Sequence, residues 1–159
     1  DGKAVLDVFN RTHEETDYLL TYSDENCFTA SQEADFLQRK TDSTNTVEII
    51  AIVDGVVAGT AGIDALGMRD KIKHRAVFGI AITKEFWGLG IGKSLMEACI
   101  ECAREAGYLQ LELEVVAENE RAVEMYKRAG FIEYGRNPKA FRLRTGEYQE
   151  LIDMRLELK

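Results

Sequence analysis

A glycine-rich loop, Trp87-Gly88-Leu89-Gly90-Ile91-Gly92-Lys93-Ser94, lies between an apolar run that ends at Ile82 and a helical pattern. Glycines at alternate positions leave it almost without side-chain bulk, so its backbone can press against a ligand. The helix that follows opens with unpaired N–H groups and the positive end of its dipole. Together these make a site for an anion, a phosphate above all. Two nucleotide patterns fail on spacing. A Walker A loop needs G-x-x-x-x-G-K-[ST], and counting back from Gly92-Lys93-Ser94 puts Trp87 where the first glycine belongs. A dinucleotide loop needs G-x-G-x-x-G, and with Lys93 after Gly90-Ile91-Gly92 that pattern is not completed either. An ordinary tight turn before a helix would not require three glycines.

A second block, Asn119-x-x-Ala122-x-x-x-Tyr126-x-x-x-Gly130-Phe131, lies downstream where a strand pattern passes into a helical one. Read together, the two blocks resemble the GNAT superfamily of acyl-CoA-dependent N-acyltransferases. Its pyrophosphate loop has the form [QR]-x-x-G-x-G/A after a strand ending in an aliphatic residue, and its later signature is N-x-x-A-x-x-x-Y-x-x-x-G-F. Gly90 and Gly92 fill the two glycine positions. Trp87 stands where the family often carries arginine, a mild departure for a loop that holds its anion mainly through backbone N–H groups. The resemblance spans roughly residues 47–158, most specifically 75–131.

The resemblance implies acetyl-CoA as cosubstrate, no metal, and direct attack by an amine on the bound thioester. By position, Ala81, Ile82 and Thr83 would offer backbone hydrogen bonds to the pantetheine arm, and an N–H from this segment would polarise the thioester carbonyl. Gly88, Leu89, Gly90, Ile91, Gly92 and Lys93 would cradle the pyrophosphate. Asn119 would contact the arm, a role compatible with capping the helix it precedes. Tyr126 would be the general acid that protonates the departing thiolate; packing in the core is the plain alternative. The base is less direct. Some members place a glutamate on the third strand, where this chain has Ala76. Glu112 and Glu114 lie on the fourth strand, on the face opposite Leu111, Leu113 and Val115, and Glu114, nearer the splayed end, is the candidate, acting through water. His13 and His74 are isolated. Cys99 and Cys102 read as packed helical thiols rather than as a metal pair or a covalent nucleophile.

The composition bounds the class. The chain has 159 residues, 45% hydrophobic and 30% charged, enough for one domain with a real core, taken as residues 1–159. It lacks an apolar run of the roughly 18 residues that a membrane span needs. Asp1-Gly2-Lys3 does not look like a signal peptide, and three cysteines argue against a disulfide framework, so a reducing, cytoplasmic setting is expected. The net charge is −8, and residues 1–46 hold ten Asp/Glu against four Lys/Arg. That disfavours nucleic-acid binding; it either draws a cationic amine or simply solvates the surface.

The element pattern is α-α-β-β-β-α-β-α-β-β. A first helix covers about 3–17 and a second, capped at Ser31, runs to Lys40. Val47–Val53 and Val56–Leu66 flank Asp54-Gly55, a two-residue hairpin signal. A strand at about 75–83 leads into the glycine loop, and a helix follows that Gly107 closes. Leu111, Leu113 and Val115 alternate on a fourth strand, and a helix from Glu120 to Ala129 comes next. Two strands separated by Thr145-Gly146 end the chain. The expected fold is α+β: a mixed, mostly antiparallel sheet with one parallel βαβ unit, flanked by helices. In the family a short strand precedes the first helix; here it either lies upstream or is dispensed with. The alternative function is a non-catalytic acyl-CoA sensor of the same fold. A nucleotide-dependent phosphotransferase fails on loop spacing. The acceptor, a small molecule or a protein amine, carries no legible pattern, and a homodimer through the C-terminal strands is an option the resemblance raises.

Overall fold

The computed structural model describes residues 2–159, leaving Asp1 outside. Helix α1 (Gly2–Glu15) and helix α2 (Ala30–Thr41) precede strands β1 (Val47–Val53), β2 (Val56–Ala65) and β3 (Arg75–Ile82). Then come α3 (Ile91–Glu105), β4 (Gln110–Val116), α4 (Glu120–Arg128), β5 (Ile132–Arg142) and β6 (Tyr148–Glu157). The strands form one sheet in the order β1-β2-β3-β4-β6-β5, and only β3 and β4 run parallel. This is the mixed α+β architecture expected from the element pattern.

Local chemistry sets the element boundaries. Asp54 (φ 49°) and Gly55 (φ 81°) both take left-handed conformations, and Val53 pairs directly with Val56. Two consecutive positive φ values are what a type I′ hairpin demands. The cap of α2 is Thr29 rather than Ser31. Its hydroxyl accepts from the Gln32 N–H at 3.3 Å while the Gln32 side chain accepts from the Thr29 N–H at 2.8 Å. That reciprocal pair satisfies two end groups at once, which Ser31, already inside the first turn, cannot do.

Each sheet face has its own cover. Ala61, Ile63, Ala76, Phe78, Leu111 and Leu113 are buried against Leu95, Met96 and Cys99 of α3 and Val123 and Tyr126 of α4. Burial pushes the Cys99 thiol up to about 12, as expected of a packed cysteine rather than a nucleophile. The opposite face, carrying Asp64 and Glu48, lies under α1 and α2. There the buried Lys40 ammonium donates to Glu48 at 3.0 Å and to Asp64 at 2.9 Å, tying α2 to both strands of the hairpin.

That tie sets an expected outcome. Removing Lys40 leaves Glu48, largely buried, beside a second carboxylate with no cation between them. Because Asp64 is well exposed, the cost falls below that of a fully buried pair. Lys40→Ala should lower stability by about 2 kcal/mol. Urea denaturation measures it, and an unchanged midpoint would reduce the pair to surface decoration.

Candidate functional site

The sheet is two three-stranded halves joined over a short distance. β3 and β4 pair only at Arg75↔Gln110, Ala76↔Leu111 and Val77↔Glu112, although β3 continues to Ile82 and β4 to Val116. At the joined end Arg75 clamps Glu112 with two hydrogen bonds, one of them 2.8 Å from Nη2 to Oε2. Beyond Val77 each strand follows its own antiparallel partner, β2 or β6, and the two part.

The parting exposes backbone. Leu66 N–H donates to the Arg75 carbonyl and Thr83 N–H to the Ala58 carbonyl, each at 3.0 Å. Both pairs lie on one register, so odd-numbered residues of β3 bond to β2 and even-numbered ones turn toward β4. Ala81 therefore faces Thr60 and Thr83 faces Ala58, and neither N–H is free for a ligand in the gap. Of the three residues expected to offer backbone bonds, Ile82 alone aims its N–H there, its carbonyl being taken by Trp87 Nε1 at 2.8 Å. Ile80, not anticipated, presents both backbone groups. Parity along β3 would have found it, but only with the β2 register in hand.

A cleft of about 750 Å³ passes through this gap. Thr12, Thr16, Tyr18 and Leu19 line it from α1 and the segment behind it, and Met96, Asn119, Met125 and Tyr126 from the other side. Ile80, Ala81 and Ile82 form one wall and Gly88, Gly90, Ile91, Gly92 and Lys93 the mouth. Leu89 and Thr83 are not part of the lining: Leu89 points to solvent, and Thr83 is buried with its hydroxyl on the Ala58 carbonyl.

The loop is built as an anion cradle. Gly88 (φ 78°) and Gly90 (φ 82°) are left-handed, a conformation that costs an L side chain about 1–2 kcal/mol. The first intrahelical bond of α3 runs from Ser94 N–H to the Gly90 carbonyl. Among the described residues the six N–H groups from Gly88 to Lys93 find no acceptor. Six free donors at the positive end of a 15-residue helix match a diphosphate in charge and in hydrogen-bond demand.

Tyr126 stands at the inner end. It is 6% exposed and packs edge-on against Phe78 (ring centroids 6.1 Å apart) and at a tilt against Phe131 (5.8 Å). Its hydroxyl has no partner among the described residues, and burial raises the phenol well above its ordinary range, so the proton stays on. Core packing and cleft lining are both true of it. Asn119 likewise does two things. Its Oδ1 accepts from Ala122 N–H at 3.4 Å, capping α4, while its side-chain nitrogen remains unpaired at the cleft.

The carboxylates that the sequence pointed to lie elsewhere, and the two that do line the cleft, Glu97 and Glu124, belong to no motif. Glu114 is exposed on the face covered by α1, beside Asp153 of β6, and does not line the cleft. Glu112 is held by Arg75. His13 stacks on Phe9 at 3.9 Å and its Nδ1 lies 2.7 Å from the Phe9 carbonyl, a structural role. Arg121, which no motif singled out, lines the cleft beside the loop.

A parted parallel strand pair with six free N–H groups at its mouth suits an extended ligand that carries phosphate, and comparison with known proteins gives the family. The family described as "Acetyltransferase (GNAT) family" matches residues 6–131. The L-amino acid N-acetyltransferase AaaT of Escherichia coli K12 is 33% identical over 118 residues, 74% of this chain and 72% of that protein. An acetyltransferase of the GNAT family from Streptococcus pneumoniae superposes with a TM-score of 0.94 at 28% identity, covering 99% of this chain and 94% of that one. The fold is also that of yncA from Salmonella typhimurium, solved with its cofactor acetyl-CoA (TM-score 0.87, 17% identity, 100% and 89% covered). The chain belongs to the GNAT family of acetyltransferases.

The two functions of Asn119 are separable. Asn119→Ala should cost about 1 kcal/mol of stability through the lost cap. Asn119→Asp keeps the accepting oxygen and should unfold at the wild-type denaturant concentration. If both variants lose stability equally, the cap is not what Oδ1 contributes.

Proposed function

We propose that this acetyltransferase moves the acetyl group of acetyl-CoA to a primary amine of a small molecule or of a protein or peptide, by direct attack. The observation that carries the reading is the gap between β3 and β4, with six free N–H groups at its mouth and a protonated, unpartnered phenol inside. Acetyl-CoA supplies the thioester carbonyl as electrophile. Gly88 to Lys93 bind the diphosphate, and Lys93 adds a positive charge. Ile80 and the N–H of Ile82 receive the pantetheine arm as an added strand would be received, and one of those N–H groups polarises the thioester oxygen. The free side-chain nitrogen of Asn119 donates to the arm. A non-catalytic sensor of the same fold would have no use for a phenol whose hydroxyl is left unpartnered beside the reaction centre.

Tyr126 holds the proton that the leaving sulfur needs. A free thiol has a pKa of about 8.5 and a phenol about 10, so complete transfer to thiolate is uphill by about 1.4 kcal/mol per unit of difference. Burial widens that difference. Tyr126 therefore acts by donating a hydrogen bond as charge develops on sulfur, with full transfer late. Glu114 is the proposed base, working through water from the exposed stretch of β4 that β3 has left. Asp153 faces it across the β4–β6 pair. Two carboxylates side by side are unfavourable for the sheet, and they suit a cationic amine that must be held and then deprotonated. A reducing, cytoplasmic setting fits its three free thiols.

A thiol-release assay with acetyl-CoA against a panel of amines tests the reading; no turnover with any amine, despite acetyl-CoA binding, would favour the sensor. Gly90→Asp places a carboxylate where a diphosphate belongs and should abolish acetyl-CoA binding by calorimetry while the fold persists. Tyr126→Phe keeps the ring against Phe78 and removes a hydroxyl that bonds nothing, so stability and acetyl-CoA affinity should hold while kcat falls about 10²–10⁴-fold. A drop below about threefold would return the proton to water. Because burial raises the phenol, kcat should show no descending limb from Tyr126 below about pH 10.

A further inference from the structure

Arg121 is a cation of the cleft that the reading above leaves without a task. It is exposed, lines the mouth, and has no carboxylate partner among the described residues. Its guanidinium carbon lies 5.3 Å from the centroid of the Trp87 ring, and one Nη comes within 3.5 Å of where a Cβ on Gly88 would sit. The indole is itself fixed, its Nε1 donating to the Ile82 carbonyl at 2.8 Å. Lys84 lies over the same ring at 5.7 Å. A long, flexible side chain stacked on an anchored aromatic is restrained in one place. That place is the start of the run of six free N–H groups.

We propose that Arg121, positioned by Trp87, binds a phosphate group at the nucleotide end of the acyl-CoA cosubstrate. The inference rests on acetyl-CoA being the donor, as argued above. A guanidinium fork matches phosphate oxygens in geometry as well as charge, and a cation with no internal ion pair gives up nothing to make the contact. Two phosphate sources share this chemistry, the diphosphate at the cradle and the 3′-phosphate beyond it. The position of Arg121 at the Gly88 end of the loop puts both within the question. Trp87 is a positioning residue here, since it touches the phosphate only through Arg121.

The test measures affinity of wild type and variants for acetyl-CoA and for acetyl-3′-dephospho-CoA by calorimetry, with kcat/KM for S-acetylpantetheine as the phosphate-free control. Arg121→Gln should weaken acetyl-CoA about 10- to 100-fold. If the same factor appears with the dephospho ligand, the diphosphate is the partner; if it vanishes there, the 3′-phosphate is. An unchanged affinity for both ligands would overturn the proposal, as would an equal loss with S-acetylpantetheine, which would mark a general disturbance of the cleft. Trp87→Phe and Trp87→Leu both lose the bond to Ile82, but only the first keeps an aromatic platform. The first should retain more of the acetyl-CoA affinity than the second, and equal values would remove Trp87 from the account. Failure of the wild-type protein to bind acetyl-CoA at all would instead sink the donor assignment itself.

Discussion

The site depends on three residue pairs of parallel sheet. Among the described residues, Arg75 to Val77 of β3 and Gln110 to Glu112 of β4 are the only strand pairing between the two halves, and the Arg75–Glu112 clamp sits on that joint. Were the pairing to continue, Ile80 and Ile82 would spend their backbone groups on β4 and no gap would exist. Were it absent, only the core packed under α3 and α4 would hold the halves together. Fully dry, an unpaired backbone donor or acceptor costs about 1–3 kcal/mol. Here the gap opens on a cleft, where solvent can reach those groups, so the cost is far smaller.

The end of the cleft opposite the loop is shaped by a different set of contacts. The segment after α1 that contributes Tyr18 and Leu19 is tied back to α1 by Asn26, which donates to Asn10 at 3.3 Å, and to the far end of the chain by Arg144. Its backbone N–H donates to the Tyr22 hydroxyl at 3.0 Å, its guanidinium holds Asp24 at 2.8 Å, and the same group stacks 4.0 Å over the Tyr22 ring. These groups are exposed, so each contact is weak alone. Converging on one arginine, they tie the α1–α2 connection to the β5–β6 turn, across a sequence separation of about 120 residues. The neighbouring lining is thereby set by two distant parts of the chain.

Much of this was legible before any coordinates, for reasons that differ by element. The glycine loop announces itself because its conformation excludes other residues, and Gly88 and Gly90 are indeed left-handed. Asp54-Gly55 fixes its hairpin by the same rule. Tyr126 and Asn119 were legible as a spaced motif, and the structure puts both at the cleft. What failed was anything decided by pairing rather than by type. Which of Ala81, Ile82 and Thr83 has a free N–H depends on the register with β2, which no residue in β3 encodes, and so Ile80 carries no signal of its own in the sequence. Ser31 and Thr29 are equally good caps by type; the glutamine three residues on decides for Thr29. Arg121 carries no motif, and its meaning comes from a ring 34 positions earlier in the sequence.

Net charge is the feature that would mislead most if read alone. A protein at −8 is an unpromising receptor for a polyanion such as acetyl-CoA. At physiological ionic strength the Debye length is about 8 Å, so distant carboxylates are largely screened and the nearest groups decide. Along the cleft those groups are six N–H dipoles with Lys93, Arg121 and Arg128, set against Glu97 and Glu124. On the other face of the sheet they are Glu114 and Asp153, side by side. The N–H dipoles of the loop and the Glu114–Asp153 pair thus present opposite signs in different parts of the sheet. A chain of net charge −8 can therefore still present donors for an anion at one place while its carboxylates crowd at another.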